Sequence, residues 1–252
     1  MAELEVLRVA SWVEIGLAAF TALALLFISA PYGRHAREGW GPTIPSRFGW
    51  VLMELPTVLV FGAIHLHGDH RFELVPLLLV TLWQGHYVYR TFVYPFLLRG
   101  QKDKTMPLSI ALIAVAFNTL NSYINARWIS HFGDYEGWLA KPWFWIGLSV
   151  FVLGWAINTW ADHVLRKLRA PGDSGYSIPR GGLYEYVSCP NYLGEIIEWT
   201  GWAIATLSLP GLAFALYTAA NVGPRARTNH QWYLQKFPDY PRDRKRLIPF
   251  LW

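Results

Sequence analysis

The sequence predicts an all-α, polytopic membrane protein in which seven transmembrane helices surround an internal cavity. Three observations predict it. The 252 residues are 53% hydrophobic and only 15% charged, and Trp, Tyr and Phe supply 16%. That is more apolar and aromatic mass than a soluble core of this length requires. The apolar residues gather into stretches of about 20, the length that crosses a bilayer as a helix. The charge of the connecting loops alternates along the chain, which orients each stretch.

The first span covers residues 9–30. It follows acidic Glu3 and Glu5, lacks a Lys/Arg-rich start and shows no clear cleavage site, so it reads as a retained helix. The next loop carries Arg34, Arg37 and Arg47. Span two covers 48–65, and its exit loop (His65, His67, Asp69, His70) has little fixed positive charge. Span three covers 74–98 and ends at Arg99, Lys102 and Lys104. Span four covers 107–128 and is followed by acidic Asp134 and Glu136. Span five covers 143–165 and runs into Arg166, Lys167 and Arg169. Residues 170–190 form a polar loop with a turn at Gly181 and Gly182. Span six opens at Ser188 and runs to 208. A short turn leads to span seven, 212–222, where Gly223 and Pro224 mark a kink or break. The tail is basic, with Arg242, Arg244, Lys245 and Arg246. Loops after spans one, three, five and seven are thus basic, and the others are not. The N-terminus is expected outside and the C-terminus in the cytoplasm, which needs an odd number of spans. The whole of 1–252 reads as one domain, without repeats.

Several functions are excluded. The single cysteine, Cys189, rules out an intrachain disulfide and every zinc spacing. The net charge of +5 sorts to one side of a membrane and makes no nucleic-acid patch. The histidines at 65, 67 and 70 read as a solvated loop, so no metal is expected. With no G-x-G-x-x-G or Walker motif, a dinucleotide site would have to be non-Rossmann.

The chemistry-bearing residues fall on helix faces. Asn191, Glu195 and Glu198 sit at i, i+4 and i+7, one narrow face of an otherwise apolar helix. Such a stripe is costly in lipid, so it should face a cavity. Asn158, Asp162, Arg166 and Arg169 share one sector of span five. They are either snorkelling arginines with an interhelical polar contact, or a site for phosphate and ribose. Trp83, Tyr87, Arg90 and Tyr94 share a face of span three. Glu54 in span two is a lone carboxyl, paired or protonated; a neutral acid beside a tyrosine hydroxyl would make an oxyanion site. Asn118, Asn121, Ser122 and Asn125 read as interhelical packing.

Five stretches together resemble the steroid 5α-reductases (3-oxo-5-alpha-steroid 4-dehydrogenases): residues 50–56 with Glu54-Leu55-Pro56, 86–94, 158–169, 181–199 and 239–250. The run from Asn191 to Trp199 is the most specific. The resemblance implies an intramembrane enzyme whose seven helices enclose the cofactor and substrate cavity. It would use NADPH to reduce the Δ4 double bond of an apolar 3-oxo-Δ4 steroid taken from the lipid. Glu54 and Tyr87 would hold the C3 carbonyl, with Trp50 and Met53 beside the substrate. Arg90, Asn158, Asp162, Arg169, Tyr176, Asn191, Glu195, Arg225 and Tyr233 match cofactor-site positions, with Arg166 and Asn229 alongside. The chain departs from the animal members at Met53, Ser177, Asn229 and Gln101. Nucleic acid is not an expected partner, and a monomer suffices. Two rival readings remain: a membrane methyltransferase using S-adenosylmethionine on a prenylated cysteine, and a non-catalytic sterol- or lipid-binding protein.

Overall fold

Long apolar runs satisfy their backbone polar groups internally only as helices when water is scarce, and helices dominate here. The computed structural model describes residues 1–31, 33–99, 104–169 and 175–252; Gln101 lies outside them. The rods are α1 (Ala2–Phe27), α2 (Ser46–Leu66), α3 (Leu74–Val88), α5 (Leu108–Arg127), α6 (Pro142–Lys167), α7 (Pro190–Thr206) and α8 (Leu209–Lys236). A π turn, Tyr89–Val93, carries α3 on into α4 (Tyr94–Leu97), and a second, Trp128–Phe132, extends α5. A short antiparallel ribbon, Thr43–Pro45 with Thr105–Pro107, sets Ile44 opposite Met106 and ties together the entries to α2 and α5.

Four helical segments are long and apolar enough to cross a membrane: Ala2–Phe27, Ser46–Leu66, Leu108–Phe132 and Pro142–Lys167. The protein is a multi-pass membrane protein. The outward face of α1 exposes Val9, Trp12, Leu23 and Leu26, a surface suited to lipid rather than water.

Of the kink or break expected at Gly223 and Pro224, the break does not occur. Helix α8 passes through Pro224 and ends only at Lys236. A proline costs the helix one backbone bond and a crowded preceding turn. Here α8 packs against both α1 and α7, and that packing overrides the local preference. The continuous helix carries Arg225, Asn229 and Tyr233 at four-residue spacing, hence on one face.

Helices α6 and α7 approach most closely. A Cβ on Gly154 would meet the backbone of Glu198, and one on Gly194 would meet the backbone of Asn158. Only glycine allows this approach, which sets the polar face of α6 against that of α7. Beside the seam lies an aromatic core around Trp83, which is fully buried. Phe61 stacks on it at 4.3 Å, and Trp202, Trp199 and Phe214 surround it at 5.2, 5.3 and 5.5 Å between ring centroids. Trp83 Nε1 donates to the Thr57 carbonyl and Trp202 Nε1 to Asn125 Oδ1, at 3.0 and 2.9 Å. Asn118 and Ser122 donate to the carbonyls of Met53 and Pro56. The asparagine face of α5 thus joins helices, as its pattern predicts.

The tail folds back beneath the start of α7. Buried Ser188 Oγ is hydrogen-bonded with His230 Nδ1 at 2.6 Å and with the Tyr240 hydroxyl at 2.7 Å. Buried Arg244 donates to the Pro179 carbonyl at 3.0 Å. These bonds fix the loop that delivers Asn191 to the interior.

Candidate active site

A cavity of about 590 Å³ opens between α1, α2, α3, α5, α6, α7 and α8. One part of its wall is apolar, with Phe20, Leu25, Ile110, Ile113, Phe117 and Phe214. Another is cationic and polar, with Arg34, Lys104, Asn158, Asp162, Arg169, Asn191 and Arg225. Glu54 and Tyr87 border the same space, and each lies within electrostatic reach of the other.

Arg90 stands between the two parts. Its guanidinium lies 5.0 Å from the Trp50 ring and 4.8 Å from that of Tyr94, with Nη1 3.6 Å from Asp162 Oδ2. The π turn sets this placement: it adds a residue to the helical repeat and re-aims Arg90, as π insertions often do at functional sites. Asn191 Nδ2 donates to Asp162 Oδ1 at 3.1 Å, and Asn158 Nδ2 donates to the Asn191 carbonyl at 2.9 Å. Four elements, α2, the π turn, α6 and α7, are thus joined by one polar chain across the cavity wall.

Most residues singled out from the sequence meet on this wall: Trp50, Met53, Glu54, Tyr87, Arg90, Asn158, Asp162, Arg169, Tyr176, Asn191, Glu195 and Arg225. Three do not. Arg166 points away, to the Tyr89 hydroxyl at 3.2 Å and over the Tyr94 ring. Tyr233 stands behind the wall, stacked on Tyr240 at 5.0 Å, and supports Arg34, whose guanidinium lies 5.0 Å from its ring. Asn229 borders a smaller side chamber of about 120 Å³ with Arg34, His35, Tyr192, Arg225 and Thr228. Its Oδ1 accepts from His35 Nε2 at 3.1 Å. Glu198, the third member of the α7 stripe, is fully buried and bonds His86 instead of facing the cavity.

Arg34, His35 and His86 carry no signal of their own in the sequence. The first two sit in a loop without periodicity, which sets Arg34 on the wall and His35 on the side chamber. Arg34 is boxed by Trp232, Tyr233 and Tyr176, with ring distances of 4.8, 5.0 and 5.4 Å. Its Nη1 is buried without a hydrogen-bond partner among the described residues. Arg169 and Lys104 also lie over Tyr176, at 4.7 and 5.4 Å. A guanidinium left with an open donor, among three further cations, fits an anionic ligand with several oxygens. The neighbouring carboxylate and amides suit hydroxyl or carboxamide groups. At the end of α2 and in the loop after it, His65 donates to the Arg71 carbonyl at 3.0 Å and His70 pairs with Glu73 at 2.6 Å.

Residues 104–252 match the family model described as 3-oxo-5-alpha-steroid 4-dehydrogenase. Over 237 residues, 92% of each chain, the sequence is 48% identical to steroid 5-alpha-reductase DET2 of Gossypium hirsutum. The chain belongs to the 3-oxo-5-alpha-steroid 4-dehydrogenase family. It is also 44% identical to 3-oxo-5-alpha-steroid 4-dehydrogenase 1 of Mus musculus, over 94% of this chain and 93% of the relative. With the Bos taurus protein of the same name it shares 40% identity, over 100% and 99%. Membership makes this chain an oxidoreductase of steroid metabolism. It also supersedes the methyltransferase reading.

Proposed function

We propose that the protein reduces the Δ4 double bond of a 3-oxo-Δ4 steroid with NADPH, in a cavity enclosed by seven membrane-crossing helices. The observation that carries this reading is one cavity with two chemistries: an apolar part bordered by Glu54 and Tyr87, and a cationic part bordered by Arg34, Arg169 and Arg225. Arg34, Arg169, Arg225 and Lys104 would hold the nucleotide phosphates, and Asn158, Asp162 and Asn191 its ribose and carboxamide groups. NADPH, when bound, supplies the hydride. Reduction of an enone builds negative charge on the ketone oxygen, and hydrogen bonds aimed at that oxygen act most strongly in a dry site. Tyr87 and a protonated Glu54 would supply them. Met53, Trp50 and Phe117 exclude water around the ring system. The steroid would come from the lipid, and the nucleotide from the cytoplasmic side, where the basic loops lie. Elements from both ends of the sequence line this cavity, in keeping with 1–252 as one domain. A non-catalytic sterol binder would have no use for the cationic part.

Single-turnover NADPH oxidation with a 3-oxo-Δ4 steroid tests this. Glu54→Leu and Tyr87→Phe should each slow the step by about 10²–10³-fold, the loss typical of one oxyanion donor. Glu54→Gln keeps a donor and should retain more activity. NADPH affinity should stay parental in all three. Unchanged turnover in both Glu54→Leu and Tyr87→Phe would remove the carbonyl site.

A further inference from the structure

Hydride addition is half of an enone reduction; the α-carbon also needs a proton. A second polar unit stands beside Tyr87 with no part yet assigned. His86 Nδ1 donates to Glu198 Oε1 at 2.6 Å, with His86 nearly and Glu198 fully buried. Aromatic rings fix the imidazole, with its edge toward Tyr87 at 4.8 Å and Trp199 at 4.9 Å. Trp199 in turn stacks on Tyr87 at 5.6 Å.

Two features separate this pair from a packing contact. Glu198 Oε2 is buried without a hydrogen-bond partner among the described residues, so the carboxyl is kept at a cost that a well-packed apolar side chain would avoid. His86 also borders the cavity, and its Nε2 makes no hydrogen bond among the described residues. A carboxylate behind an imidazole fixes its orientation and tautomer, leaving the far nitrogen to exchange a proton with whatever fills the cavity.

We infer that His86, oriented by Glu198, is the acid that protonates the α-carbon and completes the reduction. The inference rests on the reductase reading above. Hydride arrives at the β-carbon with its electron pair, and the π electrons move onto the ketone oxygen as an enolate held by Tyr87 and Glu54. The enolate pair then forms the new C–H bond at the α-carbon, taking the proton from Nε2 of imidazolium His86, and the C=O double bond is restored. His86 is left neutral, with Nδ1–H still on the Glu198 carboxylate, and a proton from water recharges it. His86 borders the cavity next to the hydroxyl that holds the carbonyl, and the α-carbon is bonded directly to that carbonyl carbon. Glu198 acts through His86 and is a positioning residue.

Run backwards, the same proton transfer needs no hydride. The test is therefore deuterium uptake, in D₂O, by the saturated 3-oxo-5α steroid, measured by mass spectrometry with NADP⁺ present or absent. The parent should exchange the protons flanking the carbonyl well above the buffer rate. His86→Gln and Glu198→Gln should slow that exchange by about 10²-fold or more, the usual contribution of a positioned acid or base. Steroid affinity, read by tryptophan quenching, should stay parental. No exchange by the parent, parental exchange in both variants, or exchange lost only together with steroid affinity would each overturn the assignment. A parent that exchanges deuterium but never oxidises NADPH would fault the reductase reading instead.

Discussion

Asp162 accepts from Asn191 and faces Arg90 across 3.6 Å, and Arg169 lies over Tyr176 at the other end of the proposed nucleotide site. Asp162→Ala and Arg169→Ala should weaken NADPH binding, each by about 1.5–3 kcal/mol, the range of charge-assisted contacts. Steroid affinity should change less, and titration of each ligand separately checks this. His35 offers a pH test. Burial, and then repulsion from Arg34, Arg225 and Arg37, hold its pKa below the ordinary 6.5, against the hydrogen bond that His35 donates to Asn229. In the free protein this contributes stability that is complete above pH 6.5 and lost as pH falls toward the lowered value. A phosphate held in the side chamber would favour the imidazolium, so binding takes up a proton. NADPH affinity should therefore rise as pH falls through and below 6.5, and His35→Gln should flatten that slope. Glu54, Tyr87 and Asp162 were legible in the sequence because a polar group in an apolar span stands out. His35 and Arg34 were not, since a loop has no period to reveal its inward face. His86 carried no signal because its partner, Glu198, lies far along the chain on α7 and meets it only in the fold.

Among the elements, the seam between α6 and α7 makes the strongest demand on sequence. Ala at Gly154 would push a methyl group into the backbone of Glu198. Overpacking of this kind costs about 1–3 kcal/mol. The displacement would also separate Asn158 and Asp162 from Asn191. Gly154→Ala should lower both thermal stability and NADPH affinity, whereas Ala at Gly16, which has open space around it, should alter neither. Thermal melts with and without NADPH distinguish the two. Apolar length revealed the helices themselves, yet it could not reveal the seam, because glycines inside an apolar run look like ordinary membrane composition. Periodicity likewise missed the π turn at Tyr89–Val93, which a helical wheel treats as regular. Pro224 did not end the helix, because α8 runs on through it while packed against α1 and α7.

For the whole molecule, four crossings follow from length and hydropathy among the described residues, and the proposed total of seven rests on shorter apolar runs and the alternation of loop charge. Reporter fusions after Arg99 and after Gly137 should report opposite faces of the membrane, with the first cytoplasmic. Same-side signals would overturn the seven-crossing topology and the cytoplasmic entry of the nucleotide. Loop charge was readable because it depends on composition alone. The shape of the cavity was not readable, since it depends on which helices touch.

The join between α7 and α8 bears on how the protein is made. Only Leu207, in the left-handed region at φ 41°, and Ser208, whose Oγ accepts from Gly211 N at 3.0 Å, separate the two helices. Neither α7 nor α8 is among the four described helices that are both long and apolar enough to cross a bilayer, and α7, only 17 residues long, brings Glu195 and Glu198 with it. Under the seven-crossing topology the two must go in as one hairpin, after α6 has been built to receive their polar faces. Biogenesis then has an obligatory order, with the last third of the chain using the earlier helices as its solvent. A chain ended at Thr206 should fail to hold α7 in the membrane and should be cleared by quality-control proteases, whereas one ended at Lys167 should remain inserted.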